Sequence, residues 1–140
     1  VGGDFLKVLV IDGQGGGLGR QLVSVIKERY PEVEILAVGT NSIATGAMLR
    51  AGADQAATGE NSVVVASGRA DVIMGPVGIV IADSMLGEIT PRMAVAVGQS
   101  RARRILIPVN LCDNIVVGAA DASMSKNVQY AADALGTFIS

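Results

Sequence analysis

Three features of the sequence predict an open α/β sheet, mostly parallel, with helices packed on both faces. Apolar runs that read as buried strands alternate with stretches of helical periodicity, the pattern of repeated strand and helix units. The core has to be aliphatic: half of the residues are hydrophobic, yet the chain has two Phe, two Tyr and no Trp, which leaves Val, Ile, Leu, Ala and Met to fill it. The 18 glycines in 140 residues exceed the usual share of about 7%. They follow apolar runs and form no low-complexity tract, as loop glycines do. A chain of this length suits one domain and buries a core without disulfides or metal.

The elements follow in order. Val8–Ile11 is a continuous β-branched and aliphatic run, expected at the centre of a sheet covered on both faces. From Leu18 the spacing changes: Leu18, Leu22, Val25 and Ile26 line one face of a helix. Tyr30-Pro31 ends that helix, because proline drives the residue before it out of the helical region. Glu34–Val38 is a second buried strand, stopped by Gly39-Thr40-Asn41-Ser42. Ile43–Arg50 is then a short helix with Asn41 or Ser42 as N-cap and Gly52 closing it.

Asp54–Ala57 reads as a short strand. Asn61–Ser67 stays open between strand, on its three valines, and helix, on the α/β alternation. Asp71–Met74 is a strand that ends at Gly75-Pro76, and Val77–Ala82 is either another strand or a buried connection into a turn around Ser84–Leu86. Thr90-Pro91 starts a helix with a hydroxyl cap and proline at its first position, and Ile89, Met93, Ala96 and Val97 make its apolar stripe. Arg104–Val109 is a strand whose Pro108 marks an edge or exit. Ile115–Val117 is expected as a last short strand and Ser125–Phe138 as the C-terminal helix, with Val128, Ala131, Ala132 and Leu135 at helical spacing.

Charge and cysteine content exclude several classes of function. A net charge of −2 gives no electrostatic footprint for nucleic acid. The only basic cluster, Arg101, Arg103 and Arg104, reads as a solvated helix end that complements the dipole. With Cys112 alone no intrachain disulfide can form, which points to a reducing cytoplasm. No signal peptide is evident, and Val72–Ala82 is too short and too interrupted by Gly75, Pro76 and Gly78 to span a bilayer. Charged residues make up 17%, sparse for the surface of a small monomer, so a homo-oligomer is expected.

The strongest functional signal is the run Asp12, Gly13, Gln14, Gly15, Gly16, Gly17, Leu18, Gly19 directly after the first strand. A strand that ends in glycines and reopens as a helix presents backbone N–H groups to a phosphate. The spacing Gly13-x-x-x-Gly17-x-Gly19 departs from G-x-G-x-x-G, since position 18 is Leu, and resembles the loop of short-chain dehydrogenases. The rest of that resemblance fails. The second strand ends in Val38-Gly39-Thr40-Asn41-Ser42 with no acid for the adenosine ribose, and the Tyr-x-x-x-Lys pair is replaced by a reversed Lys126-x-x-x-Tyr130. The hydroxyls and amide of Thr40, Asn41 and Ser42 either hold a phosphate, such as the 2′-phosphate of NADP, or cap the helix.

Other polar groups keep two readings each. Asp12 either orients a ribose or a Mg²⁺ or caps the glycine turn. Asp83 and Glu88 flank a turn and are either an acid/base or metal pair or solvated surface acids. Cys112, between Asn110 and Asp113, is a nucleophile only if a cation lowers its pKa, and otherwise an inert buried thiol. Met48, Met74, Met85, Met93 and Met124 read as core filler, and no His/Cys cluster has metal-ligand spacing.

Several segments together resemble a small bacterial family, domain of unknown function number thirty-eight forty-two: Val10-Ile-Asp-Gly-Gln-Gly-Gly-Gly17, Gly39-Thr-Asn-Ser-Ile-Ala-Thr45, Ala57-Thr-Gly-Glu-Asn61, Gly75-Pro-Val-Gly-Ile79, Ile81–Pro91 and Ile107-Pro-Val-Asn110. The resemblance runs from about Val8 to Gly118 and implies no reaction, cofactor or substrate. The residues themselves predict a single Rossmann-like three-layer sandwich. It is expected to bind a nucleotide or other small phosphorylated ligand at Asp12–Gly19, Thr40–Ser42 and Gly75-Pro76, with Asn41, Asn61, Asp83, Glu88 and Asn110 as specificity contacts. The alternatives are an NADP-dependent reductase or phosphate-handling enzyme, and an oligomeric scaffold whose loop is empty.

Overall fold

The computed structural model describes residues 5–109, 114–118 and 122–139. Five strands, β1 (Lys7–Asp12), β2 (Glu34–Gly39), β3 (Gln55–Thr58), β4 (Val72–Pro76) and β5 (Arg103–Ile107), form one sheet in the order β3-β2-β1-β4-β5. Every pairing is parallel. This is the Rossmann-like order, in which the chain reverses direction across the sheet between β1 and β4 and leaves a crevice at the strands' carboxyl ends.

Among the described residues five α-helices cover the sheet: α1 (Gly17–Arg29), α2 (Ser42–Arg50), α3 (Glu60–Ser67), α4 (Pro91–Gln99) and α5 (Met124–Gly136). Successive side chains of a strand point to opposite faces, so β1 feeds two cores. Val8 and Val10 pack with Leu22 and Ile26 of α1, Met48 of α2 and Val128 and Leu135 of α5. Leu9 and Ile11 pack with Val63 and Ala66 of α3 and Met93 and Val97 of α4. Burying each of these Val, Leu, Ile and Met side chains contributes roughly 1.5–3 kcal/mol. On the first face Tyr30 Oη donates to the carbonyl of Ala132 at 2.9 Å, which ties α1 to α5.

The two open segments resolve, the first as a helix and the second as a buried connection into a turn. Asn61–Ser67 belongs to α3: Val63 and Ala66, three apart, are buried while Val65 is exposed. Val77–Val80 is a short 3-10 helix with Gly78 and Ile79 buried, and neither it nor the turn after it adds a strand. The strand expected at Ile115–Val117 is not there. Asn114 makes a single bridge, a turn follows at Val117 and Gly118, and Ile115 and Val117 are 88% and 91% exposed, with no buried face to hold them on the sheet. β5 stops at Ile107 because Pro108 has no N–H to continue the ladder.

The caps are side-chain oxygens. Asn41 Oδ1 accepts from the Ala44 N–H at 2.9 Å, and Thr90 Oγ1 accepts from the Met93 N–H at 3.1 Å. Of the basic cluster, Arg104 donates to the carbonyl of Ser100 at 2.8 Å, at the carboxyl end of α4, and Arg103 lies over the ring of Phe138.

Candidate phosphate-binding loop

The glycine loop is shaped by Asp12, the last residue of β1. Its Oδ1 accepts the Gly13 N–H at 2.8 Å and its Oδ2 accepts the Gly19 N–H at 2.7 Å. The carboxylate is buried, and burial pushes its pKa above the ordinary range. The two backbone hydrogen bonds pull the other way, and the nearby charge of Glu88 adds to the rise. With both oxygens engaged by the loop, Asp12 caps the glycine turn. Gly16 completes it at φ +74, with its N–H donating to the Gly13 carbonyl at 2.9 Å.

The glycines divide into two kinds. Three are demanded by close packing: a Cβ on Gly13 would stand 2.7 Å from Thr40 Oγ1, one on Gly16 2.8 Å from Ala44 Cα, and one on Gly19 2.6 Å from Met48 Sδ. Gly15 and Gly17 are not. Neither has positive φ, and a Cβ on either would meet nothing within 4 Å. Among the described residues, the N–H groups of Gly15, Gly17 and Leu18 have no hydrogen-bond partner. The first turn of α1 carries no acid of its own; the carboxylate at this helix end is that of Asp12, on the Gly19 N–H, which leaves the N–H groups of Gly17 and Leu18 open.

Glu88 joins three segments at this mouth. Its Oε1 accepts from the Gln14 N–H at 2.8 Å, from Asn41 Nδ2 at 3.0 Å and from the Thr40 hydroxyl. Partial burial works against its charge, but these three donors outweigh it and hold its pKa below the ordinary value. Glu88 stands on a turn of unusual backbone: Met85, Leu86 and Gly87 have φ of 55, 56 and 86, and Asp83 has φ 65.

A cavity of about 200 Å³ lies over the loop, lined by Asp12–Leu18, Pro76, Met85, Val109 and Met124. The structure thus brings Asp12, Gly13, Gln14, Gly15, Gly16, Gly17, Leu18 and Pro76 together, with Gly19 buried behind them. Gly75 supports the site from below, where a Cβ would strike the carbonyl of Ile11. Thr40 and Asn41 reach the β2 side of the mouth, but both are hydrogen-bonded to Glu88, and Ser42 is exposed in the first turn of α2. Asn61 is exposed on α3 and Asp83 is exposed on its turn, so Asp83 and Glu88 have separate surroundings. Asn110, Cys112 and Asp113 lie outside the described residues.

One of the five methionines is not core filler: Met124 lines the mouth and is 45% exposed. Met85 packs against the second core and lines the mouth as well. Methionine spacing alone carries no signal for this, although Met85 sits in the turn flanked by Asp83 and Glu88. Among the described residues no three of His, Cys, Asp and Glu come together as metal ligands, and no helix is long and apolar enough to cross a membrane.

A family described as Domain of unknown function (DUF3842) matches residues 7–140. Comparison with curated proteins finds no match. Among solved structures, the chain is similar to a dodecameric FMN-dependent UbiX-like decarboxylase from Escherichia coli O157:H7, with a TM-score of 0.50 and 18% sequence identity. That alignment covers 94% of this chain and 76% of the other, and at such identity the likeness is one of fold.

Proposed function

Since the chain belongs to this family, whose description carries no reaction, we propose from the site itself that the protein binds a small phosphorylated molecule of the nucleotide type. The phosphate would sit over Gly15, Gly17 and Leu18. One observation carries the reading: glycine stands at positions 15 and 17 where neither backbone conformation nor packing asks for it. What a side chain there would cover is the set of unpartnered amides, and a phosphate needs those amides bare. The helix dipole adds about 0.3–1 kcal/mol beyond the hydrogen bonds.

The same site argues for the direction in which the ligand extends. On the β2 side, a 2′-phosphate of NADP at Thr40, Asn41 and Ser42 would meet the Glu88 carboxylate, and like charges at that distance repel. The ligand body therefore runs toward Pro76, Val109 and Met124, which suits a mononucleotide better than NADP. FMN, named for the structural neighbour, is the first compound to test. The dodecameric neighbour and the sparse surface charge support a homo-oligomer, and the single cysteine supports a cytoplasmic setting.

Thermal unfolding against FMN, NADP, ATP and inorganic phosphate tests the proposal. A bound ligand at about 100 times its Kd stabilises the fold by ~2.7 kcal/mol. The expected result is a shift with at least one nucleotide that disappears in Gly17→Val, with the unliganded variant as stable as the wild type. No shift with any compound, or a shift retained in Gly17→Val, overturns it.

A further inference from the structure

A larger cavity, of about 590 Å³, opens at the carboxyl ends of β4 and β5. Its wall residues Val77 and Pro108 are the chain neighbours of Pro76 and Val109 in the smaller cavity, so the two hollows share a rim. One wall is apolar, made by Val77, Leu106, Pro108, Val116 and Val117. Lys126, Asn127 and Tyr130 line the other from α5, their spacing of one and four placing them on one side of the helix. Val117 is 91% and Tyr130 54% exposed, so among the described residues little covers this surface.

Among the described residues the lining is electrostatically one-sided: it holds one cation, Lys126, and no acid, and among the described residues Lys126 has no ion-pair partner. A phosphate dianion is matched by several converging amides, as in the glycine loop. A single ammonium and a phenol facing an aliphatic wall match a monoanion with an apolar body.

We propose that this cavity binds a small organic carboxylate, its apolar body against Leu106, Pro108 and Val116 and its carboxylate at the Lys126 ammonium and the Tyr130 hydroxyl. The cavity's own chemistry carries this, and it stands whether or not the glycine loop holds a phosphate.

The test is titration of the full chain with benzoate, followed by saturation-transfer NMR, with benzamide as the neutral control of equal shape. Wild type is expected to bind benzoate about tenfold or more tightly than benzamide. Lys126→Met, a change at an exposed position, should remove that preference while leaving benzamide unchanged, and Lys126→Arg should restore it. Gly17→Val should leave benzoate binding intact. No benzoate binding, equal affinity for the two compounds, or benzoate binding indifferent to Lys126→Met overturns the proposal. So does its loss in Gly17→Val, which would move the carboxylate to the glycine loop.

Discussion

The Asp12 carboxylate accepts the N–H of Gly19, seven residues further on, at 2.7 Å, so one side chain ties the end of β1 to the first turn of α1. The other oxygen holds the Gly13 N–H. Between these two anchors the loop is closed at its ends and open in the middle, where the amides of Gly15, Gly17 and Leu18 point to no partner among the described residues. An acid at this position thus shapes the loop through the backbone that it holds.

Asp12→Asn tests that role. An amide keeps one accepting oxygen and turns an NH₂ toward the second N–H, which leaves a buried donor unsatisfied. The expected loss is about 2 kcal/mol in urea unfolding. A variant as stable as wild type would show that the loop does not depend on the carboxylate.

The two kinds of glycine separate in a stability scan. Gly19→Ala would force a methyl against Met48 Sδ at 2.6 Å and Asp12 Cβ at 2.8 Å, with an expected cost of about 1–3 kcal/mol. Gly15→Ala and Gly17→Ala should leave stability within about 0.5 kcal/mol of wild type or raise it. Denaturation midpoints of the three variants give the comparison, and equal losses at all three would make the loop purely architectural.

Glu88 gives a pH dependence of known sign. Its pKa is held below the ordinary value of 4.5 in the folded chain, so its contribution is fully present above that value and fades as pH falls through the lowered folded one. Asp12 works oppositely: its raised pKa costs stability once both folded and unfolded forms are ionised, and that cost vanishes in acid. The difference between wild type and Glu88→Gln isolates the first effect. It should be about 1 kcal/mol at pH 7 and shrink toward pH 3, as followed by urea unfolding across that range. A difference constant with pH would mean that the charge of Glu88 plays no part.

The turn that carries Glu88 is strained at Leu86, which holds φ 56 while 93% exposed. A left-handed conformation costs a leucine of order 1 kcal/mol and asparagine less. Leu86→Asn should therefore raise the melting temperature slightly, by the equivalent of about 0.5 kcal/mol. A lowered one would reveal contacts of Leu86 that offset the strain.

Much of this architecture was legible in the sequence because its signals are local. The β-branched run at Val8–Ile11, the helical stripe from Leu18 and the Thr90-Pro91 cap each specify an element without reference to the rest of the chain. Asn61–Ser67 was ambiguous because its valines favour a strand, and only packing of Val63 and Ala66 on β1's second face decides for a helix. Ile115–Val117 misled because apolar residues there are exposed, which no periodicity reveals. At the site, the glycine run marked the loop, but glycines forced by packing cannot be told from those left open until their neighbours are in place. Glu88 lies 74 residues from Gln14 in the chain, so its joining of the glycine loop to Thr40 and Asn41 was likewise out of reach.

The most direct measurement is amide NMR of the ¹⁵N-labelled protein titrated with FMN. The account predicts that the Gly15, Gly17 and Leu18 resonances move most, while those of Gly13, Gln14 and Gly19, whose N–H groups are already held by Asp12 and Glu88, move less. Inorganic phosphate at high concentration should move the same three. If neither compound moves them, or if the largest changes fall on Thr40, Asn41 and Ser42, the loop is not the phosphate site and the account fails.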